Sequence, residues 1–327
     1  MLRFGIIGTN FISEWFIQGC QHSAGRAEPV AVMSRERSRA EAFATKNGLA
    51  HGVDSLDELF ELVDAVYVAT PHFAHHDQAV AAIAAGRHVL VEKTMAASAA
   101  EVRNIFDSAA EAGVVAMEAM RSLHTPAHQV IKQQVGELGT LRHARIEKYQ
   151  YSSRYDAFRS GVVLNAFDPE MGNTALADIG VYCLQPAIDL FGPPRSATGV
   201  SLWLDNGFEG GGSMVLGHGD LVVDVTWSKV VAGLGPSVIH GEDATLIFDD
   251  PGETSEVLLQ PRGGAPVVLW SAPKPKPAET MHHEIMAFCD QADAGRTEPR
   301  WSQVSLITRE LMDAHLARTT AQADSVS

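Results

Sequence analysis

Short apolar runs alternate with helical patterns through about the first 120 residues of the chain. Between the runs, apolar residues recur three or four positions apart, as in Ala40, Phe43 and Ala44, which is the spacing of an amphipathic helix. Strands that alternate with helices in this way predict right-handed crossovers and a parallel sheet with helices on both faces. The runs that we predict to be strands are Leu2 to Ile7, Pro29 to Met33, Ala65 to Ala69, His88 to Val91 and Val114 to Met117.

The pattern changes near residue 140, where apolar and polar residues begin to alternate. Alternation of period two is typical of strands with one buried face, so we predict an antiparallel sheet in this part. A Pro-Lys-Pro-Lys-Pro linker at residues 273–277 then leads into two amphipathic helices. The strands predicted here are Leu141 to Tyr151, Val200 to Leu204, Leu221 to Trp227, Thr245 to Phe248 and Val257 to Leu259.

The charge balance limits what the protein can bind. Lys and Arg number 25 against 40 Asp and Glu, a net charge of −15, which argues against nucleic acid and anionic membrane surfaces as partners. No apolar run approaches the roughly 20 residues that cross a bilayer, and the first residues lack the pattern of a signal peptide. We therefore expect a cytoplasmic protein, and its 327 residues are enough for two domains.

Cysteine and histidine do not form a metal-binding pattern. The three cysteines are odd in number and far apart, which argues against a disulfide framework and a four-cysteine zinc site. His72, His75 and His76 lie together before a predicted helix, and adjacent histidines at a helix start rarely converge on one ion. We expect no metal.

A candidate nucleotide-binding turn follows the first strand. The segment Gly8-Thr9-Asn10-Phe11-Ile12-Ser13 stands where a dinucleotide fingerprint needs small residues, and helix amides there can bind phosphates. Gly8 keeps its glycine, Asn10 replaces the second glycine and Ser13 the third. We expect Asn10 to adopt a positive φ, which Asn tolerates better than other non-glycine residues. The candidate cofactor-binding residues of this turn are Gly8, Thr9, Asn10, Phe11 and Ile12.

The residues after the second strand indicate which dinucleotide is bound. An NAD site has an acidic residue there that accepts hydrogen bonds from the ribose, whereas this chain has Ser34-Arg35-Glu36-Arg37. A hydroxyl followed by a guanidinium suits a 2′-phosphate. Ser34 and Arg35 therefore favour NADP, and Glu36 leaves NAD possible.

Further segments resemble one enzyme family. They are Ala69-Thr70-Pro71-His72-Phe73-Ala74-His75, His88-Val89-Leu90-Val91-Glu92-Lys93-Thr94, Met117-Glu118-Ala119-Met120-Arg121 and Ala177-Asp178-Ile179-Gly180-Val181-Tyr182. With the Gly8 turn, they resemble the glucose–fructose oxidoreductase, inositol dehydrogenase and rhizopine-catabolism family (Gfo/Idh/MocA). The branch that they resemble contains dimeric dihydrodiol dehydrogenase and NADP-dependent sugar dehydrogenases. The chain departs from the family pattern at Asn10, at Thr94, where the family has proline, and at Arg121, where the branch often has tryptophan.

The resemblance implies an α/β architecture with two domains. We expect a Rossmann domain with a doubly wound parallel sheet at residues 1–121. An α+β domain for substrate and dimerisation, with an open, mainly antiparallel sheet, is expected at residues 122–327, and helices from about residue 280 would pack back between the domains. A sheet with one apolar face uncovered must find a partner, so a homodimer or a dimer of dimers is expected.

The resemblance also implies the catalytic residues, and their chemistry suits a hydride transfer. Oxidation of a secondary alcohol needs a group that takes the hydroxyl proton, and Lys93 stands at the carboxyl end of a predicted strand, where ligands of open α/β sheets bind. Tyr182 can polarise or protonate the reacting oxygen, and Asp178 is four residues before it on the same predicted helical face. Further candidates for contact with the cofactor are Thr70, Pro71, His72, His75, Glu92 and Lys93 itself.

The function expected from these residues is NADP(H)-dependent oxidoreduction of a sugar, a cyclic polyol or a related diol. One alternative is an NAD-linked dehydrogenase of the inositol type. Against it are Ser34, Arg35 and the tyrosine at Tyr182, where such enzymes usually carry histidine. The other alternative is a non-catalytic nucleotide-binding regulator with the same fold, which would need no proton-transfer group such as Lys93.

Overall fold

The computed structural model describes residues 1–233 and 235–326, with the side chains of residues 322–326 left out. The chain divides into two compact units. The first contains Met1–His124 and Lys276–Leu306, and the second contains Thr125–Pro275 and the chain from Ile307 onward. The predicted functional division between residues 121 and 122 stays a prediction.

The strands fall into two groups along the chain. In the first unit they are β1 (Leu2–Ile7), β2 (Ala27–Met33), β3 (His51–Val53), β4 (Ala65–Val68), β5 (His88–Glu92) and β6 (Ala116–Ala119). In the second unit they are β7 (Leu141–Tyr149), β8 (Ser196–Trp203), β9 (Glu209–Gly217), β10 (Val222–Ser228), β11 (Ser237–Gly241), β12 (Ala244–Phe248), β13 (Glu256–Pro261) and β14 (Val267–Ser271).

The α-helices occupy the segments between the strands and the C-terminal end. They are α1 (Phe11–Gln21), α2 (Arg37–Asn47), α3 (Leu56–Leu62), α4 (His75–Ala84), α5 (Ala99–Ala112), α6 (Pro126–Val135), α7 (Tyr155–Arg159), α8 (Val181–Phe191), α9 (Pro277–Ala294) and α10 (Pro299–Val326). A π-helical turn, Leu176–Gly180, leads directly into α8.

The first unit is a doubly wound parallel sheet. Its described strands lie in the order β3-β2-β1-β4-β5-β6, and all neighbouring strands are parallel. One face packs against α1 and α9 through aromatic side chains: the rings of Phe16 and Tyr67 stack at 4.0 Å and those of Phe4 and Phe288 lie 5.6 Å apart. The opposite face packs against α3, α4 and α5. The predicted fold class is confirmed here.

Two details of this sheet differ from the sequence prediction. The strand β3 was not predicted, because its three residues, His51-Gly52-Val53, contain no apolar run. The strand β6 begins at Ala116 instead of Val114, because Val114 and Val115 are buried before the strand pairing starts.

The described residues of the second unit form an eight-stranded sheet in the order β14-β13-β12-β11-β7-β10-β9-β8. The pair β7 and β10 is parallel and the other pairs are antiparallel, so the sheet is mainly antiparallel, as predicted. Alternate residues such as Ile146, Met214 and Val225 are buried. Exposed apolar side chains lie elsewhere in the strands, at Val200, Leu202, Val215, Val222, Val267 and Val268.

Candidate functional site

Three loops of the first unit leave the sheet at the same edge. They follow β1, β4 and β5, whose parallel pairing brings their carboxyl ends side by side. Ligands of open α/β sheets bind outside the carboxyl ends of the strands, at the point where the strand order reverses. In this sheet that point lies between β1 and β4, so the loops after Ile7, Val68 and Glu92 form the candidate cofactor site.

The turn after β1 needs glycine at its first position. Gly8 has a φ of +117°, and a Cβ on it would lie 2.9 Å from the carbonyl oxygen of Ala69. The absence of a side chain therefore lets two backbone segments of the site approach each other closely. The hydroxyl of the buried Ser13 donates a hydrogen bond to the Gly8 carbonyl at 2.9 Å, which fixes the turn against α1.

Asn10 acts differently from the prediction. Its φ is −102°, so the expected positive φ is wrong. Its side chain caps α1: Oδ1 accepts from the N–H groups of Ile12 at 3.0 Å and Ser13 at 3.2 Å, and Nδ2 donates to the carbonyl of Ala69 at 2.7 Å. Asn therefore replaces glycine because it is an N-cap that also joins the first loop to the second.

The arginines after β2 have different partners. Nη2 of Arg37 donates to Asp54 at 2.7 Å and also pairs with Glu58, so its charge is balanced by two carboxylates. Arg39 instead donates from Nε to Thr9 Oγ1 at 2.8 Å, within the turn that begins at Gly8. Arg35 is exposed. The structure thus adds Arg39, which sequence reasoning missed, to the residues around the predicted phosphate-binding turn.

His75 joins the second and third loops. It is buried, and its ring nitrogens lie 2.7 Å from the Thr70 carbonyl oxygen and 3.1 Å from that of Thr94. Burial lowers the pKa of His75, which favours the neutral ring, and a neutral ring has one N–H to donate. The Thr70 hydroxyl donates to Gln78 at 2.6 Å. The neutral ring donates to one of the two carbonyls and is in contact with the other, so His75 packs between the two loops. Its contact with a cofactor stays a prediction, as do those of Pro71 and His72.

Lys93 follows β5 directly and is partly buried. Its backbone N–H donates to Glu92 Oε2 at 3.1 Å, and the buried hydroxyl of Tyr67 donates to Glu92 Oε1. Burial raises the pKa of both Glu92 and Tyr67, while the charge of Lys93 opposes the shift at Glu92. Glu92 thus orients the start of the loop that carries Lys93.

Behind this loop lies a second carboxyl group, Glu284 on α9. Its side chain is completely buried, and among the described residues neither carboxyl oxygen has a hydrogen-bond partner. Burial and the charge of Glu92 raise its pKa well above the usual value, whereas Arg121 acts in the opposite direction. Arg121 is buried nearby and donates to Thr280 at 2.8 Å. Burial without a hydrogen-bond partner therefore favours the neutral form of Glu284 over the charged one.

The second unit carries Asp178 and Tyr182. Asp178 lies in the π-helical turn, and its carboxylate, 32% exposed, pairs with the buried ammonium of Lys229 at 2.8 Å. Lys229 also donates to the carbonyl of Ala166 at 3.1 Å. Tyr182 is in the first turn of α8, and the Lys148 ammonium lies 5.2 Å from its ring centroid. Asp178 thus remains partly accessible while its charge is balanced from within the unit.

The comparison with known proteins identifies the family. Over 318 residues the chain is 37% identical to the scyllo-inositol 2-dehydrogenase (NADP(+)) IolU of Bacillus subtilis (strain 168), and the match covers 96% of this chain and 95% of that protein. The chain belongs to the Gfo/Idh/MocA oxidoreductase family. The family model, described as an oxidoreductase family with an NAD-binding Rossmann fold, matches residues 2–120. The predicted family is therefore confirmed.

One further relative and one solved structure are also similar to this Gfo/Idh/MocA chain. The chain is 33% identical over 199 residues to the trans-1,2-dihydrobenzene-1,2-diol dehydrogenase of Mus musculus, a match that covers 59% of this chain and 57% of that protein. A solved 3-ketoreductase from Actinomadura kijaniata, in complex with NADP and TDP-benzene, has a TM-score of 0.81 at 24% identity, with 97% of each chain covered. The second similarity supports the fold alone.

The described residues of this Gfo/Idh/MocA protein include no group of three or more His, Cys, Asp or Glu side chains that could hold a metal ion. No helix among them is long and apolar enough to cross a membrane. Sequence reasoning missed Arg39, Glu284 and Lys229. Only Arg39 carried a local signal, because it continues the series of arginines that starts at Arg35.

Replacing Glu284 by Gln in this Gfo/Idh/MocA protein should stabilise the fold at neutral pH. The pKa of Glu284 is higher in the folded chain than in the unfolded chain. Below the unfolded-state pKa the carboxyl is protonated in both states and does not affect stability. As pH rises from the unfolded-state pKa towards the folded-state pKa, the wild type loses about 1.4 kcal/mol of unfolding free energy per pH unit. We expect the difference in unfolding free energy between Glu284→Gln and wild type to grow as pH rises above the ordinary carboxyl pKa of about 4.3. Urea unfolding over a series of pH values from acid to neutral measures it. A difference that stays constant with pH would show that Glu284 is ionised in the folded protein.

Proposed function

We propose that this oxidoreductase transfers a hydride between NADP(H) and a secondary alcohol or carbonyl of a sugar, a cyclic polyol or a related diol. In this proposal Lys93 is the proton-transfer group, and Asp178 and Tyr182 contact the substrate. The observation that carries it is the position of Lys93: it leaves the sheet at the same edge as the Gly8 turn, next to the strand-order reversal.

The residues around the Gly8 turn fit a dinucleotide. Glycine at Gly8 lets the turn pass close to the Ala69 backbone at the strand-order reversal. The Thr9 hydroxyl, which accepts from Arg39, keeps its own O–H to donate to a phosphate near the positive end of α1. Bound nicotinamide would supply the hydride acceptor or donor. The protein would bind the cofactor at these residues. His75, which contacts the Thr70 and Thr94 carbonyls, would keep the Thr70 and Lys93 loops at a fixed distance from each other.

NADP is favoured over NAD by the arginines after β2. Arg37 is balanced by Asp54 and Glu58, which leaves Arg35 and Arg39 as the guanidinium groups for a 2′-phosphate, together with the Ser34 hydroxyl. The Bacillus subtilis relative is named for NADP(+), which supports the same cofactor for this chain.

The substrate chemistry follows from the groups in each unit. When the alcohol is oxidised, Lys93 takes the hydroxyl proton as the carbonyl forms, and in the reverse direction it returns that proton. The Asp178 carboxylate, which is partly exposed and paired with Lys229 through Oδ2, accepts a hydrogen bond from a neighbouring substrate hydroxyl. The phenol of Tyr182 donates to the reacting oxygen. A vicinal diol on a sugar or cyclitol ring offers both hydroxyl groups.

The purified protein should reduce NADP with at least one member of a panel of scyllo-inositol, myo-inositol, aldoses and trans-dihydrodiols. We expect it to bind NADP(H) at least about tenfold more tightly than NAD(H), or ~1.4 kcal/mol. Absorbance at the reduced-nicotinamide band measures NADP reduction, and fluorescence titration measures the two cofactor affinities.

Arg35→Ala should reduce the ratio of NADP(H) affinity to NAD(H) affinity. The control is Arg103→Ala, which changes a surface arginine of α5 and should leave this ratio unchanged. Equal affinities would contradict the NADP assignment, and tight binding without turnover of any compound would favour a regulator.

The second unit should form a homodimer through its sheet. Apolar side chains at Val200, Leu202, Val215 and Val222 lie exposed on β8, β9 and β10, and such a face is stabilised by a second copy. Light scattering should give a dimer or a dimer of dimers, and Val200→Lys combined with Leu202→Lys should shift it towards monomer. Val267→Lys, at an exposed position in β14, is the comparison variant. A wild-type protein that stays monomeric at all concentrations would rule the dimer out.

A further inference from the structure

Glu209 lies in the interior of the second unit, beneath the turn that carries Asp178. It is the first residue of β9 and is 1% exposed. Its Oε2 accepts a hydrogen bond from the backbone N–H of Leu176 at 2.7 Å, and its Oε1 accepts from the indole N–H of Trp227 at 2.8 Å. The backbone of Ala175 bonds to the same carboxyl. One side chain therefore holds both the start of the π-helical turn and the strand β10 below it.

Trp227 extends this support to the end of the turn. The indole is buried, and a Cβ on Gly180 would lie 3.1 Å from its ring atoms. A Cβ on Gly212 would lie 2.6 Å from the same ring. The ring is thus enclosed between the backbone of the turn and that of β9, and the hydrogen bond to Glu209 fixes its orientation. Leu176 and Gly180, the two ends of the turn, both rest on the pair Glu209 and Trp227.

Lys229 connects Glu209 to Asp178 through charge. Its buried ammonium pairs with Asp178 at 2.8 Å and lies 5.4 Å and 5.6 Å from the ring centroids of Phe167 and Phe208. The charge of Lys229 also acts on Glu209. An ammonium enclosed by aromatic rings needs compensating negative charge, which these two carboxylates supply. If either carboxylate is removed, the positive charge of Lys229 is no longer balanced, and the interaction of Lys229 with the remaining carboxylate changes.

We propose that Glu209 is the positioning residue for Asp178: its carboxylate fixes the Leu176–Gly180 turn and shares the charge of Lys229, so that Asp178 keeps one orientation towards the substrate. This inference deepens the proposed function and rests on the role of Asp178 in substrate binding. Glutamine cannot replace Glu209, because an amide has one acceptor oxygen, and its NH₂ would face one of the N–H groups that the carboxylate accepts.

The hold of Glu209 on the turn should depend on pH. Burial raises the pKa of Glu209 to about 7, against the opposing effect of its hydrogen bonds and of Lys229. His315, which packs edge-on against Trp227 at 5.4 Å, has a pKa lowered by burial to about 4 and stays neutral in this range. Asp178 is ion-paired with Lys229 at 2.8 Å. As pH falls through about 7, Glu209 takes up a proton and can no longer accept from all of its donors, so the turn is released on the acid side.

The test uses the full-length protein with ¹⁵N-labelled tryptophan and follows the Trp227 indole N–H resonance, identified by its loss in Trp227→Phe. Between about pH 5.5 and 8.5 we expect it to move with a midpoint near 7 in wild type. The movement should be absent in Glu209→Gln and present in Glu256→Gln, an exposed glutamate of the same sheet. A resonance that does not titrate in wild type, or that titrates equally in Glu209→Gln, overturns the proposal.

Kinetics test the consequence for substrate. In Glu209→Gln we expect kcat/KM to fall by at least ~10-fold, mainly through KM, while the NADPH dissociation constant stays within about twofold, because the cofactor residues lie in the other unit. Unchanged kcat/KM overturns the positioning role even if the resonance titrates. Thermal unfolding is measured first, to establish that Glu209→Gln is folded. If it is not, the pH titrations of the Trp227 resonance in wild type and in Glu256→Gln decide whether Glu209 acts on the turn. Wild type that turns over no substrate contradicts the proposed function, whereas the resonance still tests the hold of Glu209 on the turn.

Discussion

Lys93→Met should lower turnover by ~10²–10⁴, the usual contribution of a positioned acid–base group, while NADP(H) affinity changes by only a few-fold. Methionine keeps the length of the side chain and removes the amine, and the backbone N–H that bonds to Glu92 remains. The Gly8 turn and the arginines after β2 are unaffected by this change. Steady-state rates on the substrate found in the panel, together with cofactor titration, measure the two effects.

The companion variants separate proton transfer from positioning. Tyr182→Phe should lower kcat less than Lys93→Met if the phenol only polarises the oxygen, and to a similar extent if it shares the proton path. Lys46→Met, at an exposed lysine in the last turn of α2, should have normal rates. A Lys93→Met enzyme with near-normal kcat would place the base at another residue.

Gly8→Ala should weaken NADP(H) binding by at least about tenfold, or ~1.4 kcal/mol, and lower the free energy of unfolding by ~1–3 kcal/mol. The new Cβ would lie 2.9 Å from the Ala69 carbonyl oxygen, which is backbone and cannot rotate away, and a φ of +117° is strained for alanine. The turn must shift, and with it the backbone next to the phosphates. Calorimetric titration with NADPH and denaturant unfolding measure the changes.

Gly48→Ala is the matched control for this prediction. Gly48 also has a positive φ, +71°, at the end of α2, but a Cβ there meets nothing within 4 Å. It should therefore lose about 1 kcal/mol of stability through backbone strain and leave cofactor affinity unchanged. If both variants bound NADPH as wild type does, the Gly8 turn would not be part of the cofactor site.

The backbone architecture was largely predictable because its signals are local. Strands buried on both faces read as continuous apolar runs, as at Ala65 to Val68, and half-buried strands alternate, as at Leu141 to Tyr149. Two of the missed strands carry weak local signals: His51–Val53 is short, and Glu209–Gly217 begins with glutamate followed by three glycines. Ser237–Gly241 and Val267–Ser271 were also missed, although the second has four consecutive apolar residues. The glycine at Gly8 was predicted correctly as a turn, since its backbone requirement is a property of the segment itself.

The role of Asn10 shows where local reasoning was insufficient. Asparagine can adopt a positive φ, and its side chain can also cap a helix N-terminus. The sequence alone does not show which of these two properties Asn10 uses. The capping role depends on α1 beginning one residue later and on the Ala69 carbonyl lying within reach of Nδ2. That second contact joins residues from two different strand ends, so the parallel pairing of β1 and β4 has to form first.

The sequence by itself determined the family, the parallel and antiparallel character of the two sheets, and the candidate residues, including Lys93 at a strand end and Asp178 before a helix. The tertiary structure decided which charged groups meet: that Arg37 is balanced by carboxylates while Arg39 reaches Thr9, and that Asp178 pairs with Lys229 above Glu209. Apolar periodicity and glycine turns act over a few residues, and so they can be read along the chain. Charge pairing and burial depend on segments far apart in sequence, and only the folded chain brings them within hydrogen-bond distance.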